Sequence, residues 1–302
     1  MTDNGKQITG EHLFRVAEHG IRISFADSPY NDISLIPSFE PFRTETLEST
    51  PLLELTVDDT LKPTDKKRRE RIRTFDTGNG DTIVDVVDDG GYQFIIKNIQ
   101  GAECCLLLTD KNFGNCRCAL NGTRDMRQFG LNNALMLCYA FAGSYKGTVL
   151  IHASLVRQNG KGYAFTAKSG TGKSTHVGLW LRYLPGCDMM NDDNPIIRII
   201  DDKPYIFGGP WSGKTPCYRD VKAPLAAVTK IVRAKENIIT RCSPIESFAT
   251  LLPACSTMKW DSDIFDNICR TITKIVETTG IYTLNCLPDK EAAILCNKTI
   301  AY

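Results

Sequence analysis

The chain has 302 residues, 42% hydrophobic and 24% charged, which is typical of a globular protein of about two domains. Its 36 Lys and Arg residues nearly balance its 35 Asp and Glu residues, so overall charge favours neither nucleic acid nor an anionic membrane as a partner. The sequence opens without a signal-like segment, and its most apolar run, 134–143, is far shorter than the ~20 residues that span a bilayer. We therefore expect a cytoplasmic protein.

Residues 1–125 are predicted to form a β-rich N-terminal domain. The stretch TIVDVVDDGGYQFIIKNI, 82–99, is typical of a β-hairpin whose turn places Asp89 and Gly90 at positive φ. The stretch AECCLLLTDKNFGNCRCAL, 102–120, predicts a second pair of strands with a longer loop. We expect this domain to guide the acceptor of whatever reaction the rest of the chain catalyses.

A basic run, Lys66–Arg73, lies inside this domain. It follows Pro63 and includes Glu70. This pattern favours a solvated loop or linker over a docking site for an acidic partner.

The chain contains 12 cysteines, which in a short secreted protein would suggest a disulfide framework. Only Cys116 and Cys118 form a close, non-adjacent pair, and no second pair follows at zinc-ligand spacing. We therefore predict buried, reduced thiols rather than disulfides or a metal cluster. Those within apolar stretches are Cys104, Cys105, Cys138, Cys269 and Cys296.

Residues 126–302 are predicted to form a second domain that alternates helices and strands. From Phe129, apolar residues recur at helical spacing until Gly143, which can end the helix. The stretch TVLIHASLV, 148–156, predicts one strand, and 163–167 its hairpin partner. Further strands are expected at 205–209, 226–234, 237–242 and 281–286, and further helices at 174–184, 243–252, 261–280 and 289–298. The second of these helices has Ser243 and Glu246 spaced as a capping box.

The stretch AKSGTGKST, 167–175, resembles a phosphate loop in its setting as well as its letters. Ala167 stands where the pattern G-x-x-x-x-G-K-[ST] begins with glycine. The loop follows a predicted strand and leads directly into an amphipathic helix, whose positive end favours a phosphate. The predicted nucleotide-binding residues are Ser169, Gly170, Thr171, Gly172, Lys173, Ser174 and Thr175.

A second stretch, GGPWSGKTP at 208–216, matches the same pattern in full. Pro216 follows at once, however, and the next residues have no apolar helical face. We therefore expect a loop that contacts the acceptor through Ser212, Gly213 and Lys214, rather than a phosphate site.

Two adjacent carboxylates, Asp192 and Asp193, occur about 20 residues beyond the loop lysine. Adjacent residues of a strand face opposite ways, so one carboxylate can bind a metal while the other accepts a proton. A solvated turn is the alternative interpretation. His152 precedes the loop in a predicted strand, where a satisfied core residue is the alternative to a catalytic group.

Taken in order, the strand histidine, the SGTGKS loop, the helix and the NDD sequence resemble the catalytic domain of HPr kinase/phosphorylase. That family belongs to the phosphoenolpyruvate carboxykinase-like P-loop superfamily, and the resemblance covers about 148–216. It implies an α/β fold with a mixed sheet, bound ATP and Mg²⁺, and Lys173 on the phosphates. It also implies that Ser174 and one aspartate, taken as Asp193, hold Mg²⁺, that the other aspartate is the general base, and that His152 lies near the phosphates.

These features predict an ATP- and Mg²⁺-dependent kinase that phosphorylates a hydroxyl, foremost a serine of a protein or peptide. A small-molecule kinase or carboxykinase-like enzyme, and a nucleotide-binding regulator without turnover, are the alternatives. Phosphorylase activity is not expected, because no R-G-x-G-type signature follows the double aspartate. The predicted partners include neither nucleic acid nor membrane, and a homo-oligomer is compatible with the sequence.

Overall fold

The structure, a computed structural model, describes residues 7–76, 80–168, 170–213 and 215–301. The chain divides into two compact units, the first ending at Ala142 and the second beginning at Gly143. Each unit contains one large sheet with both parallel and antiparallel strand pairs. The protein is therefore of the mixed α/β class.

The first unit is built around a sheet with the strand order β3-β1-β2-β4-β9-β8-β7-β6-β5. The pairs β2–β4 and β4–β9 are parallel, and the other neighbours are antiparallel. The strands are β1 (Ile8–Val16), β2 (His19–Ala26), β3 (Arg43–Thr44), β4 (Leu53–Val57), β5 (Arg69–Asp76), β6 (Asp81–Val87), β7 (Tyr92–Lys97), β8 (Glu103–Thr109) and β9 (Asn115–Leu120).

Both hairpins predicted in this unit are confirmed, as β6–β7 and β8–β9. The turn of the first differs in detail from the prediction. Gly90 has a φ of 88°, whereas Asp89 is not among the residues with positive φ. The Asp89 carboxylate instead accepts a hydrogen bond of 2.9 Å from the Gly91 N–H, which stabilises the turn.

The basic run was wrongly predicted as a loop. Lys66–Arg68 form a 3₁₀ turn, and from Arg69 onward the chain is the edge strand β5. The reason is electrostatic, since Arg69 and Arg71 form ion pairs with Asp85 of the neighbouring strand, whose side chain is 1% exposed. A buried carboxylate needs such partners.

The helix α1 (Arg124–Ser144) begins before Phe129, and Gly143 lies within its last turn. Its packing places it with the first unit, whereas the prediction assigned it to the second domain. The Tyr139 hydroxyl donates to the Val16 carbonyl at 3.0 Å, and the Phe141 ring lies 5.2 Å from that of Phe113.

The second unit is built around a sheet with the strand order β10-β14-β15-β16-β12-β11-β13. Two further strands extend it, because β18 pairs with β16, and β17 pairs with β18. The pairs β12–β16 and β16–β18 are parallel. The strands are β10 (Thr148–Leu150), β11 (Ala153–Gln158), β12 (Lys161–Thr166), β13 (Cys187–Asp193), β14 (Ile196–Ile200), β15 (Lys203–Phe207), β16 (Lys222–Arg233), β17 (Ile238–Arg241) and β18 (Gly280–Cys286).

The helices of this unit are α2 (Lys173–Tyr183), α3 (Pro244–Leu251), α4 (Ser262–Thr278) and α5 (Lys290–Ile300). All four were predicted, and the capping box of Ser243 and Glu246 is confirmed at the start of α3. One face of the sheet packs against α2 and α5 in a core that includes Phe165, Trp180 and Leu284. The helix α4 packs against β10, β14 and β15.

The predicted strand 148–156 is interrupted at His152. β10 pairs with β14, whereas β11 pairs with β12 and β13, so the chain leaves one group of strands and joins another at this point. The bridging residue Ile151 pairs with Cys255. The break places His152 outside the regular ladder, where its side chain is 43% exposed.

All twelve cysteines are free thiols, eight of them buried and four half-buried. Among the described residues, no group of three or more His, Cys, Asp or Glu side chains is arranged to hold a metal ion. In the same part of the chain, none of the helices combines the length and the apolar character needed to cross a bilayer.

Candidate functional site

The predicted phosphate loop joins the end of β12 to the start of α2. Gly170 and Gly172 have φ values of 75° and 123°, which favour glycine and allow the tight turn. Ala167 has no positive φ, so an alanine is tolerated where the pattern has glycine. Ser169, which was predicted to bind nucleotide, lies outside the described residues.

The start of α2 is suited to an anion. Gly172 is the N-cap and has no side chain with which to cap the helix, and no acidic residue occupies the first turn. The first N–H groups of a helix have no intrahelical partner, and the helix dipole makes this end positive. Lys173 and Ser174 are the first two residues of the helix, so both side chains originate at this end.

Arg233, at the end of β16, donates hydrogen bonds to two carbonyl groups of the loop. Its Nε donates to the Thr171 carbonyl at 3.0 Å, and its Nη2 donates to the Gly170 carbonyl at 2.5 Å. Because a peptide N–H points away from the preceding carbonyl, the Gly172 N–H is directed away from Arg233. The guanidinium therefore fixes the loop conformation without occupying the side that a phosphate would take.

Asp192 is buried, at 3% exposure, and connects the loop to its neighbouring strands. Its Oδ1 accepts hydrogen bonds from the Ser154 hydroxyl at 2.6 Å and from the Ser174 hydroxyl at 3.0 Å. The structure thus places Ser174 next to Asp192, whereas the sequence had predicted Asp193 as the aspartate that shares a metal ion with Ser174.

Asp193, His152 and Lys173 form a continuous chain of polar contacts. His152 Nδ1 lies 3.1 Å from Asp193 Oδ1, and its Nε2 lies 2.6 Å from the Lys173 ammonium. Burial lowers the pKa of His152, with Asp193 opposing the shift and Lys173 adding to it. A neutral ring accepts from Lys173 and donates its Nδ1 proton to Asp193, a tautomer that we assign from this network.

Burial also lowers the pKa of Lys173, and the carboxylates of Asp193 and Asp192 oppose this shift. The ammonium therefore sits in a partly desolvated position with an imidazole as its close partner. Phosphate oxygens would offer it stronger, charged acceptors.

The backbone of Asp193 is strained, with a φ of 117° in a residue other than glycine. Such a conformation costs about 1–3 kcal/mol and persists only where the surroundings impose it. Here the second loop does so. Ser212 forms a β-bridge with Asp193, and the Ser212 hydroxyl and the Gly213 N–H both donate to the Asp192 carbonyl.

The second loop therefore lies against the two aspartates, and no helix begins in residues 215–221. Asn191 strengthens this connection, because its buried amide donates to the Trp211 carbonyl at 3.0 Å. Lys214, the third residue predicted for the acceptor loop, lies outside the described residues.

A cavity of about 450 Å³ opens beside the predicted phosphate loop. It lies between the start of α2, the end of β16 and the segment between β18 and α5. Thr175 and Arg233 supply polar groups near the loop, while the remaining walls are mostly apolar. The apolar lining residues are Leu179, Ile231, Ala234, Leu287 and Pro288.

Three residues of the site were not predicted. Ser154 and Asn191 could have been suspected, because Ser154 follows His152 by two residues and Asn191 directly precedes the double aspartate. Arg233 carried no such signal, since 63 positions separate it from Gly170.

No protein-family model matches this chain, and no curated protein matches it in sequence. Among solved structures, the HPr(Ser) kinase/phosphatase from Coxiella burnetii is similar to 50% of this chain over 88% of its own, with 8% identity and a TM-score of 0.31. Likeness at this level does not bear on the chemistry of the site.

Proposed function

We propose that the chain is an ATP- and Mg²⁺-dependent kinase that transfers the γ-phosphoryl group to a hydroxyl, foremost a serine of a protein or peptide. The observation that carries the proposal is the arrangement of the two aspartates. Asp192 lies against Ser174 at the start of α2, and Asp193 lies against the His152–Lys173 pair.

The oxygen donors at the start of α2 fit a magnesium ion. Mg²⁺ is bound through one or two carboxylates together with substrate phosphates and water, and a cage of three protein ligands is not required. The Ser174 hydroxyl and the Asp192 carboxylate, 3.0 Å apart, would hold it. When bound, the ion neutralises charge on the phosphate oxygens.

Lys173 and the loop backbone would bind the phosphates. The ammonium is already within 2.6 Å of His152, so binding of a triphosphate exchanges a neutral partner for an anionic one. His152 would then lie near the phosphates, where its unprotonated Nε2 can accept a hydrogen bond from the Lys173 ammonium.

Asp193 is the residue suited to accept the proton of the attacking hydroxyl. Its side chain is 34% exposed, in contrast to the buried Asp192, so an acceptor can reach it. Its Oδ1 faces His152 and its Oδ2 accepts from the Asn194 amide at 2.8 Å, which fixes the orientation of the carboxylate. Positioning of this kind is the main contribution of a protein to phosphoryl transfer.

The cavity beside the loop supports a nucleotide rather than an inorganic phosphate as the donor. Its volume of about 450 Å³ lies in the range of small-molecule pockets. Its apolar walls suit the faces of a nucleobase, and Thr175 lies on the side toward the phosphate loop.

The test is incubation of the protein with γ-labelled ATP and a cell lysate, followed by the same assay with Asp193→Asn. We expect a labelled protein band, and a rate lowered about 10²- to 10⁴-fold in the variant, because a general base acts in the transition state. ATP affinity should change little. Asp202→Asn, on an exposed turn with a φ of 62° that asparagine tolerates, is the matched control.

Label in a small molecule instead of a protein would identify a metabolite kinase. ATP binding without any transfer would contradict the proposal and favour a nucleotide-binding regulator. Transfer that survives Asp193→Asn at a near-normal rate would show that another group accepts the proton.

A further inference from the structure

Arg233, the last residue of β16, reaches the predicted phosphate loop because β16 extends beyond its neighbour. Thr166, the last residue of β12, pairs with Lys230, so β16 continues three residues further, to Arg233. Side chains two positions apart on a strand lie on the same face of the sheet. Ile231 packs in the core that includes Trp180 of α2, so the Arg233 side chain also lies on the α2 side. It therefore lies on the side where the loop leads from β12 into α2.

The backbone of Arg233 is fixed by the sheet. Arg233 pairs with Cys286 of β18, and the N–H of the next residue, Ala234, donates to the Cys286 carbonyl at 3.1 Å. The strand β12 pairs along the other edge of β16. A guanidinium presents its N–H donors in a rigid, planar fork. An arginine on such a support can hold two neighbouring carbonyl groups in fixed positions.

The two peptide groups that Arg233 holds differ in how well they are secured. The peptide between Gly170 and Thr171 is held at both ends, because its carbonyl accepts from Arg233 and its N–H donates to the Lys168 carbonyl at 3.0 Å. The peptide between Thr171 and Gly172 has its carbonyl on Arg233 at 3.0 Å. Its N–H, which belongs to Gly172, points away from the guanidinium. This N–H stands at the start of α2, where the helix end favours an anion.

Glycine makes the second of these peptides easy to rotate. Gly172 has a φ of 123° and, without a Cβ, can adopt φ values of either sign at little cost. Because a peptide is planar, a rotation that withdrew the Gly172 N–H would turn the Thr171 carbonyl oxygen toward the anion site instead. That oxygen carries partial negative charge and would repel a phosphate. The hydrogen bond from Arg233 to the Thr171 carbonyl opposes this rotation.

We propose that Arg233 is a positioning residue for phosphate binding, which keeps the Gly172 N–H directed at the phosphates and does not itself bind them. The requirement is geometric, since one side chain must reach two carbonyl groups at once. A lysine at this position would keep the positive charge but could not reproduce the fork. The inference rests on the proposed kinase function, whose phosphate site it describes.

The test measures the binding of tripolyphosphate to the full chain by isothermal titration, so it needs neither a nucleobase nor transfer. We expect Arg233→Ala and Arg233→Lys to weaken binding alike, by about tenfold, because the loop backbone must then be ordered when the anion binds. Arg241→Ala is the control. It removes an exposed arginine that pairs with Tyr282, near the opposite end of β18 from Cys286, and should leave the affinity unchanged.

Free guanidinium distinguishes positioning from a general loss of structure. Millimolar guanidinium chloride, far below the concentrations that unfold proteins, should restore part of the tripolyphosphate affinity of Arg233→Ala. Sodium chloride at the same ionic strength should not restore it. Restoration would also show that the variant is folded.

An Arg233→Lys variant that binds tripolyphosphate as tightly as the wild type would overturn the proposal, because charge alone would then suffice. Unchanged affinity in Arg233→Ala would overturn it too, and so would a loss that guanidinium does not restore, since that loss would reflect altered folding.

The kinase proposal is judged separately with γ-labelled ATP. Weakened tripolyphosphate binding in both variants, beside a wild type that transfers no label, would leave the role of Arg233 standing and contradict the kinase. Transfer by the wild type, with unchanged tripolyphosphate affinity in Arg233→Ala, would do the reverse.

Discussion

His176 should make the stability of the second unit depend on pH. It lies in α2, one turn after Gly172, and is 3% exposed. Its ring packs edge-on against Phe165 at 4.8 Å, and its Nε2 accepts a hydrogen bond of 3.0 Å from the Trp180 indole. Burial lowers the pKa of His176 from 6.5 to about 4. The native state therefore holds this imidazole neutral.

The direction of the effect follows from proton binding. Between pH 6.5 and about 4 the unfolded chain binds a proton at this residue and the native chain does not, so stability falls as pH falls. At about 1.4 kcal/mol per pH unit, the loss from this one group is roughly 2 kcal/mol at pH 5 and roughly 3 kcal/mol at pH 4. Above pH 7 its contribution is constant.

The assay is urea denaturation followed by tryptophan fluorescence at pH 7 and pH 5. All three tryptophans lie beyond Gly143, so this signal reports on the second unit. His176→Gln keeps an acceptor for the indole but cannot be protonated, and should reduce the difference in unfolding free energy between the two pH values by about 2 kcal/mol. Trp180→Phe should lower stability at both pH values and keep the difference, because burial is the cause of the shift.

An unchanged pH difference in His176→Gln would refute the reasoning. It would mean that the native state accommodates a charged imidazole at this position. A lost difference in Trp180→Phe would instead assign the shift to the indole hydrogen bond rather than to burial.

Three further results are expected. Lys173→Ala should weaken ATP binding by about 10- to 100-fold in an isothermal titration, since a charge-assisted contact is worth ~1.5 to 3 kcal/mol, while Lys161→Ala, at the exposed start of β12, should leave it unchanged. Leu179→Trp should fill the cavity beside the loop and weaken ATP binding by about tenfold, while leaving tripolyphosphate binding unchanged. Leu181→Trp, at a side chain that is 39% exposed, should change the binding of neither ligand. If Leu179→Trp weakened the binding of both ligands equally, the nucleobase would have to bind outside this cavity. A thiol reagent should modify at most the four half-buried cysteines of the native protein and all twelve after denaturation without reductant, and thiols that stay blocked after denaturation would indicate disulfides.

Local patterns in the sequence predicted the elements whose signals lie within a few residues. The β6–β7 hairpin follows from two alternating runs and a Gly-containing turn, and α3 follows from its capping box. The helix α2, after the Gly-rich loop, was predicted in the same way. The interruption at His152 was not, because it depends on two sets of partner strands that lie far away along the chain.

The sequence by itself determined that a Gly-rich loop stands between a strand and a helix, and that two carboxylates follow on a nearby strand. Tertiary structure alone decided which carboxylate serves which neighbour: Asp192 turns inward to Ser174, and Asp193, strained by the bridge to Ser212, turns to His152. It also brought Arg233 behind the loop. The physical reason is that pairing across the sheet sets the strand register and the face on which each side chain lies. Such pairing joins segments that are distant in the chain, and neither segment's own sequence pattern shows which partner it will have.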